Sequence, residues 1–206
     1  MTSIDVCNLA LSYLGNTREI SSMAEQSTEA ILCNRFYNIS RESLLKMYPW
    51  NFAVKDAALT RASSIVDGET VYETNNSFQY VYGYPDDCLR VLKVMSANDG
   101  NEIVNDYNIC YASVSLDMKR IACDISEAQA QYIVDIQDVT AMPSEFIDAL
   151  SLMLATRLAL PLTSSGQMAQ AIQQQSSIAV DTAKRMCALE RNQPLIKTNR
   201  YLDARR

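Results

Sequence analysis

Hydrophobic positions recur with helical spacing at both ends of the chain and with extended spacing in its middle. Ile4, Cys7, Leu11 and Leu14 form one helical stripe. Thr2 or Ser3 can cap its start and Gly15-Asn16 its end, which predicts a first helix over about residues 3–14. The joining segment 15–27 is polar, with Ile20 and Met23 as its expected contacts with the core. A second helix opens at Ser27 or Thr28 and runs to about Tyr48. Leu32, Phe36 and Ile39, with Cys33, Tyr37, Leu44 and Met47, make its broad apolar face opposite Arg35, Arg41 and Glu42. Pro49 ends it by removing a donor and disfavouring helical geometry at Tyr48. Trp50 and Phe52, two apart, are expected to share one face of an extended segment and to anchor the middle of the chain to the core.

From Asn51 to Thr140 the helical period fades and short β-branched and aromatic runs alternate with turn clusters. Strands are predicted over 51–60, 69–74, 77–82, 88–95, 101–104, 107–111, 119–124 and 130–136. Asp67-Gly68, Asn75-Asn76 and Asn98-Asp99-Gly100 supply turns. The many tyrosines of this stretch read as cross-strand packing residues. Pro143-Ser144-Glu145 then opens a helix to Leu160 that is apolar on nearly every side, closed by Pro161 and Gly166; it must lie at the centre of the molecule or against a neighbouring subunit. A fourth helix over about 166–191 carries Met168, Ile172, Ala179, Ala183 and Met186 on one stripe, with Gln173-Gln174-Gln175 as hydrated face, and Pro194 stops it. The expectation is an α+β fold: a helical body from residues 1–50 and 141–191, a β-rich antiparallel insert from 51–140, and an extended C-terminal arm from 192–206.

Composition narrows the chemistry. A chain of 206 residues can bury a sizeable core without staples. Its six cysteines, Cys7, Cys33, Cys88, Cys110, Cys123 and Cys187, contain no C-x-x-C pair and read as reduced. Residues 1–25 lack a signal-peptide pattern, and no uninterrupted apolar run is long enough to span a membrane. The formal charge of −6 is unevenly spread. Residues 192–206 hold Lys197, Arg200, Arg205 and Arg206 against Asp203, a net of +3, so the remaining 191 residues carry −9. An acidic body argues against general nucleic-acid binding, while the basic tail, with Leu195, Ile196, Tyr201 and Leu202 interleaved, suits docking on another protein surface.

The absence of histidine removes imidazole-based triads, proton shuttles and the commonest metal ligand. Five glycines, none in a phosphate-cradling motif, disfavour nucleotide enzymes. Asp86-Asp87, with Asp135 or Asp138, is the best acidic constellation and would suit a small metal-dependent hydrolase; a turn before the 88–95 strand explains the pair equally well. Cys88 as a nucleophile would have only Lys or Arg to activate it. A monomeric regulatory binding domain is a third reading. No cofactor is implied.

Four tracts in order, Asn8-Leu9-Ala10-Leu11-x-x-Leu14-Gly15, Arg41-x-x-Leu44-Leu45-x-x-x-Pro49-Trp50-Asn51-Phe52-Ala53, Tyr84-Pro85-x-x-Cys88-Leu89-Arg90-Val91 and Ala155-x-Arg157-Leu158-Ala159-x-Pro161-Leu162, resemble the phage head-to-tail adaptor proteins. That family includes the tail tubular protein A of short-tailed phages and head-completion factors. The resemblance implies a non-enzymatic virion protein, assembled in the host cytoplasm, that forms a homo-oligomeric ring, a dodecamer, between the portal protein and a tail nozzle or tail tube protein. DNA would pass through without sequence-specific binding, and no membrane is involved. The portal-docking arm would comprise Leu195, Ile196, Lys197, Arg200, Tyr201, Leu202, Arg205 and Arg206. Met153, Arg157, Ile172 and Met186 are the expected subunit-interface positions. An acidic wall suits such a conduit because it does not hold passing phosphates.

Overall fold

A computed structural model describes residues 1–66, 69–73, 75, 77–97, 103–104, 106–111 and 118–190. The fold is α+β, with four helices and antiparallel sheets among the described residues. Helix α1 spans Ser3–Tyr13, opened by a reciprocal capping box between Thr2 and Asp5. It is closed by Gly15, whose φ of 73° lets the Gly15 and Asn16 amides reach back to the carbonyls of Ser12 and Leu11. The next segment is held in place by Asn8. Its side chain donates to the Ile20 carbonyl at 3.0 Å and accepts from the Ile20 amide at 2.9 Å, which seats Ile20 in the core. Helix α2 spans Thr28–Met47 behind the Ser27 cap.

The buried face of α2 differs from the pattern expected. Ala30, Cys33, Tyr37, Ser40, Arg41, Leu44 and Leu45 are buried, whereas Ile31, Ile39 and Met47 are exposed. Arg41, only 3% exposed, points inward to an acidic partner, so the buried stripe takes in a position expected on the polar face. The Trp50–Phe52 segment is also a correction, since Asn51–Ala53 is a 3-10 turn and strand β1 begins only at Val54 (Val54–Ala58). Both rings nevertheless converge on one target: Trp50 and Phe52 each lie 5.0 Å, centroid to centroid, from Phe146 in edge-to-face geometry. The Trp50 indole N–H donates to the Leu44 carbonyl at 2.9 Å, satisfying one of the carbonyls that the end of α2 leaves free.

Helix α3 (Ser144–Thr163) is the central element, with α1 and α2 packed on one side and α4 (Gly166–Glu190) on the other. By length and hydropathy α3 is apolar enough to cross a membrane; here Phe146, Ala149, Leu150, Leu154, Ala155, Leu158 and Ala159 are buried against the other helices. Pro161 does not stop it. The helix runs on to Thr163 and ends at Ser164 in the left-handed conformation, with the Thr163 hydroxyl donating to the Ala159 carbonyl at 2.6 Å. Proline removes only its own amide, so one further half-turn survives when hydroxyls satisfy neighbouring carbonyls. On α4 the buried stripe is Ile172, Ser176, Val180, Ala183 and Cys187, and Met168 and Met186 lie outside it.

The β region is built in layers on this body. One sheet has the order β1-β9-β5-β6, with β5 at Cys88–Ser96, β6 at Ile103–Val104 and β9 at Ala128–Val134. A second has the order β4-β8-β7, from Tyr80–Gly83, Lys119–Cys123 and Tyr107–Tyr111. The pair β2 (Ser63–Val66) and β3 (Glu69–Tyr72) completes the set; β2 was absent from the sequence-based prediction. Strand β5 serves two cores. Leu89 and Leu92 meet the helical body while Val91 and Val94 meet the second sheet, and register irregularities at Cys88/Arg90 and Val91/Lys93 let one strand present both sets.

Candidate functional site

Among the described residues, groups capable of function gather at the junction between body and sheets and on the outer face of α4. At the junction the buried Arg41 guanidinium forms an ion pair with Asp135 and also donates to the Ile136 carbonyl at 2.8 Å. Arg90 donates to the Lys46 carbonyl at 2.9 Å, closing the end of α2 from the β side. Asp87 accepts from the Tyr132 hydroxyl at 2.9 Å and pairs with Lys55 at 3.2 Å. The backbones of the two acidic positions touch, the Asp135 amide donating to the Asp87 carbonyl at 2.8 Å.

Electrostatically both carboxylates are committed. Burial alone would raise the Asp87 carboxyl, but the Tyr132 hydroxyl and the Lys55 ammonium outweigh it and hold it below the usual carboxylate range. Burial likewise opposes ionisation of Asp135, and the Arg41 guanidinium overcomes it. Asp86 is exposed and does not join them, and Asp138 is turned to its own Thr140 at a 3-10 turn. Among the described residues no three His, Cys, Asp or Glu side chains are grouped as metal ligands would be. Burial pushes the Cys88 thiol up, away from the thiolate a nucleophile needs.

The outer face of α4 is organised differently. Two grooves of similar size flank it. One, of about 390 Å³, lies between α1, α3 and α4 and is lined by Tyr13, Glu145, Asp148, Leu152, Gln175, Ile178, Ala179 and Thr182. The other, of about 430 Å³, runs between the end of α2, α3 and α4, with Met47, Met153, Thr156, Arg157, Val180, Asp181 and Lys184 among its walls. Tyr13 donates to Asp148 across the first groove at 2.5 Å; burial and this bond push the Tyr13 hydroxyl up to about 12. In the second, Lys184 pairs with Asp181 at 3.6 Å, and Arg157 has no carboxylate within ion-pair distance among the described residues. Ile178 and Leu189 on the outer surface of α4 are 67% and 79% exposed.

Of the interface positions predicted from sequence, Met153 and Arg157 line the second groove and Met186 is 44% exposed near the end of α4. Ile172, 3% exposed, is packed into the core of its own chain. Ile178, Asp148 and Lys184 were not singled out by sequence, although Ile178 stands in a polar stretch of α4 where an isolated large apolar residue is a signal. The arm residues Leu195, Ile196, Lys197, Arg200, Tyr201, Leu202, Arg205 and Arg206 lie outside the described residues. No protein-family model matches this chain, and no curated protein matches it.

Proposed function

We propose that this chain is a virion structural protein of the head-to-tail adaptor type, without enzymatic activity. Copies form a ring between a portal protein and a tail tube or nozzle protein, assembled in the host cytoplasm, and DNA passes through it. The observation that carries this reading is the outer layer of the helical body: among the described residues α4 is covered on one side, and its other side presents Ile178, Met186 and Leu189 beside two grooves. Exposed apolar side chains strung along one helix face favour burial against a protein neighbour. The residues of the four adaptor-like tracts also have coherent work in this fold. Asn8 holds the Ile20 segment, Arg41 and Arg90 fasten sheet to helix, Trp50 joins α2 to α3, and Ala155, Leu158 and Ala159 sit at the centre.

A metal-dependent hydrolase using Asp86, Asp87 and Asp135 draws no support from the junction, where Asp87 and Asp135 are each neutralised by a cation of the chain itself. The negative charge of the body fits a conduit that must not retain phosphates. Deleting residues 192–206 tests the reading. The truncated protein should keep its circular dichroism spectrum and lose co-sedimentation with portal rings. Undiminished co-sedimentation would remove the arm from the account, and failure of the full chain to bind any portal ring would remove the function.

A further inference from the structure

The two grooves beside α4 are unlike in charge. Glu145 and Asp148 stand in the first with no cation among its described walls, whereas Arg157 and Lys184 stand in the second with only Asp181 to answer them. They open on opposite flanks of the buried stripe of α4, as helical spacing requires: Gln175, Ile178 and Thr182 face one way, Ser177, Asp181 and Lys184 the other. Resting on the ring reading above, we infer that copies of this chain associate head to tail through these flanks, the acidic groove of one copy meeting the basic groove of the next, with Asp148 against Arg157.

Like flanks cannot pair. Bringing two acidic grooves together sets Glu145 and Asp148 against their own copies, and like charges across an interface repel, so a two-fold arrangement is disfavoured at this surface. Unlike flanks satisfy each other and leave one of each free, which is the condition for a chain of subunits that closes into a ring. Ile178 stands on the acidic side and the basic groove has Met47 and Met153 in its walls, so an apolar contact accompanies the charged one. Arg157 lacks an intramolecular ion pair among the described residues, so it needs no partner removed before it meets Asp148 of a neighbour.

The test uses two charge-reversal variants of the full chain, Asp148→Arg and Arg157→Glu, examined by native mass spectrometry and sedimentation velocity at low salt and high protein concentration. Wild type should form species larger than a dimer that dissociate as salt is raised. Each variant alone, with positions 148 and 157 carrying charges of the same sign, should remain monomeric. An equimolar mixture should assemble again: the two reversed positions are complementary to each other, and so are the unaltered Asp148 of one variant and the unaltered Arg157 of the other. Thermal melts of each variant establish that it is folded, and recovery on mixing requires that both are.

Wild type that stays monomeric up to the millimolar range, or variants that associate as well alone as mixed, would overturn the inference. Dimers as the largest wild-type species would overturn it too, since they indicate a two-fold contact. Co-sedimentation of wild type with portal rings is scored separately: association with a portal but insensitivity to both reversals refutes the flank pairing alone, and head-to-tail assembly without portal binding refutes the adaptor reading alone.

Discussion

The helical body and the β region are held together by different means. In the body one apolar cluster runs through all four helices and includes Trp50, Phe146, Leu150, Leu154 and Leu158, so each helix depends on α3. The β region has two smaller clusters, one between its sheets around Tyr82, Ile121 and Tyr132 and one around Ala62, Val81 and Ala122. It relies more on polar and aromatic contacts: Arg120 with Glu73 at 2.9 Å, Arg61 between Tyr72 and Tyr80, and the Tyr82 hydroxyl donating to the Ile125 carbonyl. A body with one core behaves as a single rigid unit, while a layered region with small clusters opens at lower cost. The junction through Arg41, Ile133, Leu89 and Leu92 decides how far one region governs the other.

The largest effect is expected in the body. Leu150→Ala removes a fully buried side chain at the centre of α3 and should cost roughly 2–5 kcal/mol of stability. Trp50, the single tryptophan, reports on the body by fluorescence, and hydrogen exchange reports on the strands. Denaturant titration should show both regions losing stability together, since the sheets rest on the body through Leu89, Leu92 and Ile133. Strands whose exchange is unchanged in this variant would show that the β region is stable by itself, and body and sheets would then be two independent units.

The junction comes next. Asp135→Ala strands the buried Arg41 charge with only the Ile136 carbonyl and should cost about 3 kcal/mol, with exchange rising first in β5 and β9. Replacing both partners, Arg41→Met with Asp135→Leu, should recover most of the loss, because a buried pair repays little beyond its own desolvation. The pH dependence has a definite sign. The Asp135 carboxyl is held below its ordinary value of 3.8 in the folded chain, so its contribution is present in full above that value. It is lost as the pH falls through the lower folded value. Acid unfolding of Asp135→Asn should therefore be less steep in that range, and an unchanged acid profile would deny the ion pair its role.

The same contrast explains how much could be read in advance. The helices were legible because long periodic patterns and caps at Thr2, Ser27 and Gly15 agree with each other. The inward turn of Arg41 was not, since its partner Asp135 lies 94 positions along the chain and no local pattern marks a buried cation. Strand β2 was missed because Ser63 and Ser64 carry no apolar alternation; its pairing with β3 is set by backbone bonds. The expected α4 stripe shares Ile172 and Ala183 with the buried one, but running it through Met168 and Met186 rather than Ser176, Val180 and Cys187 rotated it toward the exposed side. Two apolar faces coexist on that helix, and sequence alone does not say which is covered by its own chain. The charge difference between the grooves needs three helices in register, so neither the acidic nor the basic groove is visible along any one of them.

The smallest effect on stability divides core from surface most clearly. Ile178→Asp changes a side chain that is 67% exposed in the outer layer of the body, so the melting temperature should move by an amount equivalent to less than about 0.5 kcal/mol. Self-association should nevertheless fall at least tenfold. An aspartate there adds negative charge to the flank that already has Glu145 and Asp148 and removes its most prominent apolar contact. A body residue that matters little for folding and much for assembly is what separates an intermolecular surface from a core position such as Leu150. Loss of more than about 1 kcal/mol in this variant would mean that Ile178 is covered within its own chain. The open side of α4 would then lose its standing as a docking face.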